Sequence, residues 1–354
     1  MKSLRINNRA IGDGEPALVI AEIGVNHDGS LARAAQLVEL AADVGADAVK
    51  FQIFCADRLV HPTAGFARYQ SDRCDEADPA QMLRRYELHP LEVARLVTIA
   101  RQRNLIPLAT PFSIDDVEVI EHLHLPAVKI ASPDLVNRPL LERVARLGRP
   151  MLVSTGAATT GEVDRCVAWL REWRAPFALL HCVSAYPTPA GDANLSWIGE
   201  LRARFDVPVG YSDHTTEVTS GALAVAAGAC AIERHLTYDK AAAGPDHGAS
   251  SDGLEFAEYV RLVRLAQRMR GTGGKRVLPI EHDVRTVSRQ SLVLGCDVGA
   301  GQTIGESHLI VQRPGTGVPA ADVTRVIGRR ARRPLARGTL LQWDMLTDAA
   351  AAAA

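Results

Sequence analysis

Two histidines stand at equivalent places in consecutive segments of the chain. His214 follows the apolar run VPVGYSD, and His235 ends the run ACAIERH. If both runs are parallel strands, the two imidazoles emerge at the same edge of the sheet. Two neutral imidazoles can bind a divalent ion when a carboxylate, water or substrate oxygen completes the coordination. The spacing matches neither HxH nor HExxH, so two unrelated histidines with local hydrogen bonds remain the alternative.

Two lysines occur inside apolar segments, Lys50 in DAVKFQIF and Lys129 in PAVKIAS. A buried ammonium group needs an anion, which is either an internal carboxylate such as Glu22 or Glu233 or a bound ligand. Hydroxyl side chains end several neighbouring segments, namely Thr110, Ser132, Ser154 and Ser212. Ammonium groups and hydroxyls together suit phosphate or carboxylate oxygens, so the pattern favours an anionic ligand.

Acidic and aromatic side chains in the same segments extend the candidate site. The acids are Glu22, Asp213, Glu233 and Asp246. A carboxylate beside a metal and a bound anion can activate water or orient a ligand, and it can equally well neutralise Arg234 or a lysine. Tyr186 precedes Pro187 in a rigid turn, where its hydroxyl either binds a polar substrate or belongs to a half-buried ring.

Eight short apolar segments position these residues, each followed by a loop and, in most cases, an amphipathic helix. They read ALVIAEIG, DAVKFQIF, LIPLATPF, PAVKIAS, RPMLVSTG, FALLHCV, VPVGYSDHT and ACAIERHLT. Strands that are apolar throughout are typical of a parallel sheet covered by helices, and eight repeats close a (β/α)₈ TIM barrel. An open doubly wound sheet is the alternative, although no GxGxxG follows the first strand. In a barrel the site lies at the C-terminal ends of the strands.

The remaining segments indicate smaller units around the barrel. Residues 4–16 predict a hairpin, and the long polar loop Cys55–His89 is typical of a lid or binding loop. The predicted barrel domain spans residues 1–275, and residues 276–284 form a linker. A small β-rich domain follows at 285–349, with strand-like pieces SRQSLVLG, HLIVQRPG and GTLLQWDML.

Composition excludes several classes of protein. The 354 residues carry 40 Lys+Arg against 41 Asp+Glu, so no global field favours nucleic acid or an anionic membrane. No apolar run approaches the roughly 20 residues that span a bilayer. The N-terminus lacks the apolar core of a signal peptide, and we therefore expect a cytoplasmic protein. Six cysteines without CxxC spacing predict buried thiols rather than disulfides or zinc ligands.

The motifs taken in order resemble those of the sialic acid synthase family. They are AEIGVNHDGS, VKFQ, ATPF, VKIAS, VSTG, HCVSAYPTP, GYSDHT, IERHLT and GPDH, and RPGTG with IGRRARRPLARG resembles the family's antifreeze-like (SAF) domain. The match covers nearly the whole chain. The resemblance implies a TIM barrel enzyme that condenses phosphoenolpyruvate with an N-acyl amino sugar, typically N-acetylmannosamine, in the presence of Mn²⁺ or Mg²⁺.

The resemblance also implies a role for each candidate residue. His214 and His235 match the metal ligands, and Glu22 and Glu233 match the acids nearest the reacting centre. The residues that match the phosphoenolpyruvate shell are Lys50, Thr110, Lys129, Ser132, Ser154 and Ser212, and those that match the amino-sugar site are Gln52, Tyr186 and Asp246. The family forms a domain-swapped homodimer, in which Arg313 resembles a residue that reaches the sugar bound to the other subunit.

Several departures from the family pattern lie near the sugar and leave the acceptor open. Ser184 stands where asparagine is frequent, and Pro133-Asp134 where Gly-Glu is common; Tyr69-Gln70 is the nearest feature to a substrate-contacting asparagine, and Arg289-Gln290 replaces a frequent Arg-Arg pair. Legionaminic- or pseudaminic-type precursors, or a spore-coat polysaccharide sugar, are therefore alternatives. A non-catalytic carbohydrate- or partner-binding member is a further one, as is a class II aldolase or heptulosonate-type synthase, although the RPGTG domain argues against those two.

Overall fold

The computed structural model describes residues 3–65, 78–271 and 273–347. The chain forms two compact units, Met1–Thr272 and Gly273–Ala354. The first contains the barrel and the hairpin, and the second contains the small β-rich region. Tyr69-Gln70 and Cys74 lie outside the described residues.

Eight parallel strands close into a barrel, as predicted. They are β3 (Leu18–Glu22), β4 (Ala48–Ile53), β5 (Ile106–Pro111), β6 (Val128–Ile130), β7 (Met151–Ser154), β8 (Phe177–Cys182), β9 (Val209–Asp213) and β10 (Ala231–His235). Strand β10 pairs with β3 over five residues, which closes the sheet and rules out the open doubly wound alternative. Each of the eight predicted segments contains one of these strands.

Helices follow the strands and cover the outside of the barrel. They are α1 (Leu31–Asp43), α2 (Ala56–Leu59), α3 (Pro79–Arg84), α4 (Pro90–Gln102), α5 (Ile114–His122), α6 (Arg138–Ala145), α7 (Thr160–Glu172), α8 (Ser196–Phe205), α9 (Ser220–Ala227) and α10 (Gly253–Arg270). Helix α7 begins with a capping box, because the side chain of Thr159 accepts from the N–H of Glu162 and that carboxylate accepts from the N–H of Thr159. Its apolar residues recur at helical spacing and are buried against the strands.

The hairpin at the N-terminus closes one end of the barrel. Strands β1 (Leu4–Ile6) and β2 (Arg9–Ile11) pair antiparallel. Their buried side chains belong to the same hydrophobic cluster as the inward-facing residues of the barrel, among them Leu18 and Ile20 of β3. The interior is therefore packed at the N-terminal end, and open space remains at the C-terminal ends of the strands.

Alternation along β9 separates two residues that the sequence placed together. Ser212 points into the barrel, where its Oγ donates to Glu233 at 2.8 Å. Asp213 points outward and forms a buried ion pair with Arg234 at 2.8 Å, and it accepts a hydrogen bond from Tyr259 at 2.8 Å. Of the two alternatives for Asp213, the structural one is correct: this carboxylate neutralises an arginine outside the barrel.

The second unit contains a two-stranded antiparallel sheet, β11 (Ser291–Leu294) with β12 (Leu309–Gln312). Two short helices, α11 (His282–Ser288) and α12 (Val323–Val326), accompany it. The third predicted strand, GTLLQWDML, forms isolated bridges at Leu340 and Leu346 and a 3₁₀ turn at Trp343–Met345 instead. Helix α11 begins within the predicted linker, 276–284, so part of that stretch has regular structure.

The sequence also predicted buried thiols and no membrane-spanning segment. The described cysteines are free, and Cys166, Cys182 and Cys230 are buried. Among the described residues, no helix combines the length and the apolar character that crossing a bilayer requires.

Candidate active site

A cavity of about 440 Å³ lies at the C-terminal ends of the barrel strands. The predicted site residues of the barrel line it, except for Glu22, which lies beneath Lys50. These lining residues are Lys50, Gln52, Thr110, Lys129, Ser132, Ser154, Ser184, Tyr186, Ser212, His214, Glu233, His235 and Asp246. The structure therefore brings together side chains from seven of the eight strands or the loops that follow them.

Lys50 lies at the centre of a buried charge network. It stands opposite Glu22 in the register of β3 and β4, and its Nζ lies 2.5 Å from Oε2 of that carboxylate. The same nitrogen is 3.5 Å from Oε2 of Glu233 and donates to Oγ1 of Thr110 at 3.1 Å. Internal pairing, one of the two explanations for a lysine within a strand, is therefore observed. Because Lys50 also lines the cavity, it presents a positive group to a ligand as well.

Glu233 connects the two lysines. Its Oε1 accepts from Ser212 at 2.8 Å and lies 3.7 Å from Nζ of Lys129, which also donates to the carbonyl of Ile130 at 3.0 Å. Burial raises the pKa of Glu233, but the ammonium groups of Lys129 and Lys50 and the Ser212 hydroxyl outweigh it and lower the pKa to about 2. This carboxylate is ionised at neutral pH.

The pKa of Lys50 is lowered as well, but for a lysine a lower pKa favours the neutral form. Burial lowers it to about 8, and the ammonium group of Lys129 acts in the same direction, whereas the Glu233 carboxylate opposes the shift. Lys50 therefore carries its charge at neutral pH and loses it in the mildly alkaline range.

Three serines converge beside Lys129. The N–H of Gly156 donates to Oγ of Ser132 at 3.0 Å, and a Cβ at this glycine would come within 2.3 Å of Oγ of Ser184. Glycine therefore permits the two hydroxyls to approach the backbone closely. Oγ of Ser154 is buried and has no hydrogen-bond partner within the described parts of the chain. A buried hydroxyl without a partner indicates a place for a ligand oxygen.

The two histidines lie next to each other at the rim, at the ends of the neighbouring strands β9 and β10. Their ring centroids are 5.5 Å apart, and the ring of Tyr186 lies 4.0 Å from that of His214. Nδ1 of His214 lies 2.8 Å from the carbonyl oxygen of Val183, so this nitrogen is the donor and Nε2 is left for a ligand. Burial lowers the pKa of His214, but Cys182, the Val183 carbonyl and Glu233 outweigh burial and raise it, so a metal that binds Nε2 displaces a proton from the charged ring. Burial and the positive groups nearby, His214 first, lower the pKa of His235 well below its usual value. A neutral imidazole is the form that binds a metal.

These residues fit a metal held by two nitrogen donors. Nδ1 of His235 is buried without a hydrogen bond among the described residues, and Oδ2 of Asp246 lies 3.4 Å from it. No group of three or more His, Cys, Asp and Glu side chains with suitable geometry occurs in residues 3–65, 78–271 and 273–347. An ion bound by the two imidazoles would therefore take its remaining ligands from water and substrate, which leaves coordination positions open for chemistry.

The comparison with known proteins gives the family. The NeuB family model matches residues 37–275, and the SAF domain model matches residues 289–347. The chain belongs to the NeuB family of sialic acid synthases. The N,N'-diacetyllegionaminic acid synthase of Legionella pneumophila is 36% identical over 339 residues, 94% of this chain and 95% of the relative.

Two further relatives of this NeuB-family chain have different products in their names. The N-acetylneuraminate-9-phosphate synthase of Mus musculus is 33% identical, covering 91% of this chain and 90% of its own. The crystal structure of an N-acetylneuraminic acid (sialic acid) synthetase from Leptospira borgpetersenii, in complex with citrate, superposes with a TM-score of 0.74 at 31% identity, covering 80% of this chain and 95% of that one. The chain is therefore a sialic acid synthase-like enzyme with a C-terminal SAF domain, as predicted.

A loop beside the NeuB-type site is held by a network that sequence reasoning missed. Nε2 of His247 lies 3.0 Å from Oδ1 of Asp28, its Nδ1 lies 2.6 Å from Oγ1 of Thr237, and Tyr238 donates to Asp28 at 2.8 Å. The network joins the loop after β3 to the loop after β10, which carries Asp246. The adjacent motifs NHDG and GPDH were visible in the sequence, but the contact between them required the closed barrel.

An apolar surface of the cavity was also missed. It consists of Val25, Phe54, Leu59, Met82, Leu83 and Phe112, and we call it the apolar wall. In a sequence, such residues cannot be distinguished from ordinary core residues, because the loop conformations that turn them toward a cavity are not encoded by periodicity.

Arg313 is the predicted site residue that the barrel does not contain. It directly follows β12 in the SAF unit and is exposed there. Its contact with a sugar therefore stays a prediction. Of the residues that depart from the family pattern, Ser184 and Pro133 line the cavity, and the neighbouring Asp134 accepts from Asn137 at 3.0 Å.

Proposed function

We propose that this enzyme condenses phosphoenolpyruvate with the open-chain aldehyde of an N-acyl amino sugar, releasing phosphate and forming a sialic acid-type nonulosonate. N-acetylmannosamine or a related 6-deoxy diacetamido sugar is the proposed acceptor. The observation that carries the proposal is the convergence at one rim of Lys50, Lys129, several hydroxyl groups and two histidines; among the hydroxyls, that of Ser154 has no partner in the described residues. The lysines and hydroxyls suit a phosphate and a carboxylate, and the histidines suit an electrophile.

Each residue has a role that follows from its position. Lys50, Lys129 and the serines hold the charged groups of phosphoenolpyruvate, which fixes its C3 against the aldehyde carbon and lowers the barrier by proximity. As the C3–C bond forms, positive charge develops at C2, and the ionised Glu233 stabilises it. Water then adds at C2; one of its protons ends on the former aldehyde oxygen and the other on the phosphate, which leaves as the C2–O bond breaks and C2 becomes a carbonyl. Glu22 does not line the cavity, and its role is to hold Lys50 in place.

A divalent ion, Mn²⁺ or Mg²⁺, belongs to the proposal. His214 and His235 would hold it, and its chemistry when bound is Lewis-acid polarisation of the aldehyde oxygen. Tyr186 and Asp246 lie close to these histidines, and Gln52 lines the same cavity. These three residues are the proposed contacts of the amino sugar.

The proposal includes a domain-swapped homodimer, in which Arg313 of one subunit contacts the sugar bound to the other. This part rests on the resemblance of RPGTG and of the SAF domain to those of the family. Light scattering should give twice the monomer mass, and a monomer at working concentration would remove this part of the proposal.

The direct test is release of phosphate from phosphoenolpyruvate with Mn²⁺ across a panel of acceptors. The panel contains N-acetylmannosamine, its 6-phosphate, its 6-deoxy analogue and 2,4-diacetamido-2,4,6-trideoxymannose. We expect release that depends on one or more of these sugars, with a nonulosonate identified by mass spectrometry. No release with any acceptor would favour a non-catalytic, carbohydrate- or partner-binding member.

The activity should fall at alkaline pH because Lys50 loses its proton. Burial lowers the pKa of this ammonium group to about 8. Lys50 is therefore fully protonated well below pH 8 and loses its charge as the pH rises through that value. We expect kcat/KM for phosphoenolpyruvate to fall about tenfold per pH unit above that point. Initial rates between about pH 6.5 and 9.5 at constant ionic strength measure this. A profile that stays flat across the range would contradict it.

A further inference from the structure

The cavity rim is divided into sectors that follow the order of the strands. In the closed barrel the strands neighbour one another in the order β10, β3, β4, β5, β6, β7, β8, β9. Lys129 and the serines come from β6 to β9 and the loops after them, and the two histidines from β9 and β10. Lys50 and Thr110 lie within β4 and β5, deeper in the barrel than Phe54 and Phe112, which follow those two strands. The apolar wall lies over β3, β4 and β5. At the level of the loops, the histidines are therefore flanked on one side by the residues after β6 to β8 and on the other by the apolar wall.

The apolar wall is built from three loops. Val25 follows β3, Phe54 and Phe112 directly follow β4 and β5, and the rings of these two phenylalanines meet edge to face at 6.0 Å. Leu59 of α2 and the residues Met82 and Leu83 of α3 complete it. Leu59, Leu83 and Phe112 remain partly exposed and line the cavity. This surface is therefore available to a ligand.

We propose that the apolar wall receives the end of the acceptor sugar remote from its aldehyde, and that it selects an acceptor whose C6 is a methyl group over one with a hydroxyl or phosphate there. This inference rests on the proposed function, which places phosphoenolpyruvate deep in the cavity between Lys50, Lys129 and the serines, and the aldehyde at the histidines. The rest of the sugar chain then extends toward β3, β4 and β5, where the wall lies.

Charge supports this choice against a phosphorylated acceptor. Among the cavity-lining residues that the structure describes, the lysines are Lys50 and Lys129, and both are paired with Glu233 at 3.5 and 3.7 Å. The six residues of the apolar wall carry no charge. Against these six residues a phosphate would lose water without gaining a cationic partner among the described lining residues other than the two lysines assigned to phosphoenolpyruvate, which is strongly unfavourable.

A hydroxyl at C6 of the acceptor is disfavoured at the apolar wall less strongly than a phosphate is. Hydrophobic pockets discriminate between ligands that differ by one small group by roughly 10- to 100-fold. We therefore expect kcat/KM for 6-deoxy-N-acetylmannosamine to exceed that for N-acetylmannosamine by about this factor, and that for N-acetylmannosamine 6-phosphate by considerably more.

The experiment compares these three acceptors in the wild type and in variants of the wall. Leu83→Lys places a cation at the wall and should shift the ratio of kcat/KM toward the 6-phosphate, and Leu59→Gln should reduce the preference for the 6-deoxy sugar. Leu91→Gln is the matched control, because Leu91 is 70% exposed on α4 and does not line the cavity. Its ratios should equal those of the wild type.

The outcomes separate this inference from the proposed function. Turnover of the hydroxyl or 6-phosphate sugar at least as fast as that of the 6-deoxy sugar overturns the inference and leaves the proposed function standing. Ratios that do not respond to either wall variant, in protein whose circular dichroism matches the wild type, also overturn it. No turnover of any acceptor overturns the proposed function and this inference with it.

Discussion

Lys50→Met should both destabilise the barrel and greatly slow condensation. Glu22 is fully buried, and its Oε2 lies 2.5 Å from Nζ of Lys50. Removing the ammonium group leaves that carboxylate without its main compensation, and Glu233 loses one of its two cations. Breaking a buried ion pair from one side costs about 3–5 kcal/mol of unfolding free energy. Loss of a positive group that holds the substrate should lower kcat/KM by roughly 10³-fold.

A double variant separates the two effects. Lys50→Met with Glu22→Gln removes both charges of the pair and replaces them with groups of similar volume, so most of the lost stability should return. The activity should not return, because the positive group that faces the cavity is still missing. Urea denaturation, monitored by tryptophan fluorescence, measures the unfolding free energy. The rate of phosphate release measures the activity.

A partly exposed ion pair serves as the control. Lys240 and Glu255 lie 2.6 Å apart with about a third of each side chain exposed. Lys240→Met should cost less than about 1 kcal/mol, because water and salt screen such a pair. If Lys50→Met and Lys240→Met lower the unfolding free energy equally, burial does not make the Lys50 pair more important for stability than the partly exposed pair.

Strand positions and the residues at their ends were predictable from the sequence because a parallel barrel imposes a regular pattern. Apolar segments at the spacing of βα units located all eight strands, and residues at their C-terminal ends had to meet at one rim. Lys50 and Lys129 were identified because a lysine in such a segment requires an anion. The sequence left open whether that anion is Glu22, Glu233 or a ligand, since the answer depends on which strands become neighbours.

The features that were missed depend on conformation outside the repeating pattern. The role of Asp213 was not missed but left open between the site and Arg234, because the outward turn of Asp213 next to the inward-facing Ser212 depends on the register of the strand. The apolar wall combines residues from three loops, including Met82 of α3, within a stretch predicted as irregular. In the SAF unit, short turns and isolated bridges replace the third predicted strand, since single bridges lack the alternating pattern that identifies a strand.

His214→Ala should lose metal-dependent activity while the barrel remains folded. The Nδ1 of this histidine is used by the carbonyl of Val183 at 2.8 Å, so its remaining nitrogen is the one available to a metal, and the ring of His235 lies 5.5 Å away. Removal of a residue that only hydrogen-bonds to a metal ligand typically lowers metal affinity by about 10- to 100-fold. Because His214→Ala removes one of two protein ligands, Mn²⁺ affinity should fall by more than this, and turnover should fall by roughly 10³-fold.

The matched control for this variant is His122→Ala. His122 also has its Nδ1 close to a backbone carbonyl, that of Glu118 at 2.7 Å, but it is at the exposed end of α5. Isothermal titration with Mn²⁺ alone reports binding without turnover, and circular dichroism reports the fold. If His214→Ala binds Mn²⁺ as the wild type does, or if wild-type turnover survives chelation unchanged, the two histidines do not form a metal site. The electrophile would then have to be activated by other residues of the cavity, with Tyr186 the nearest candidate because its ring lies 4.0 Å from that of His214.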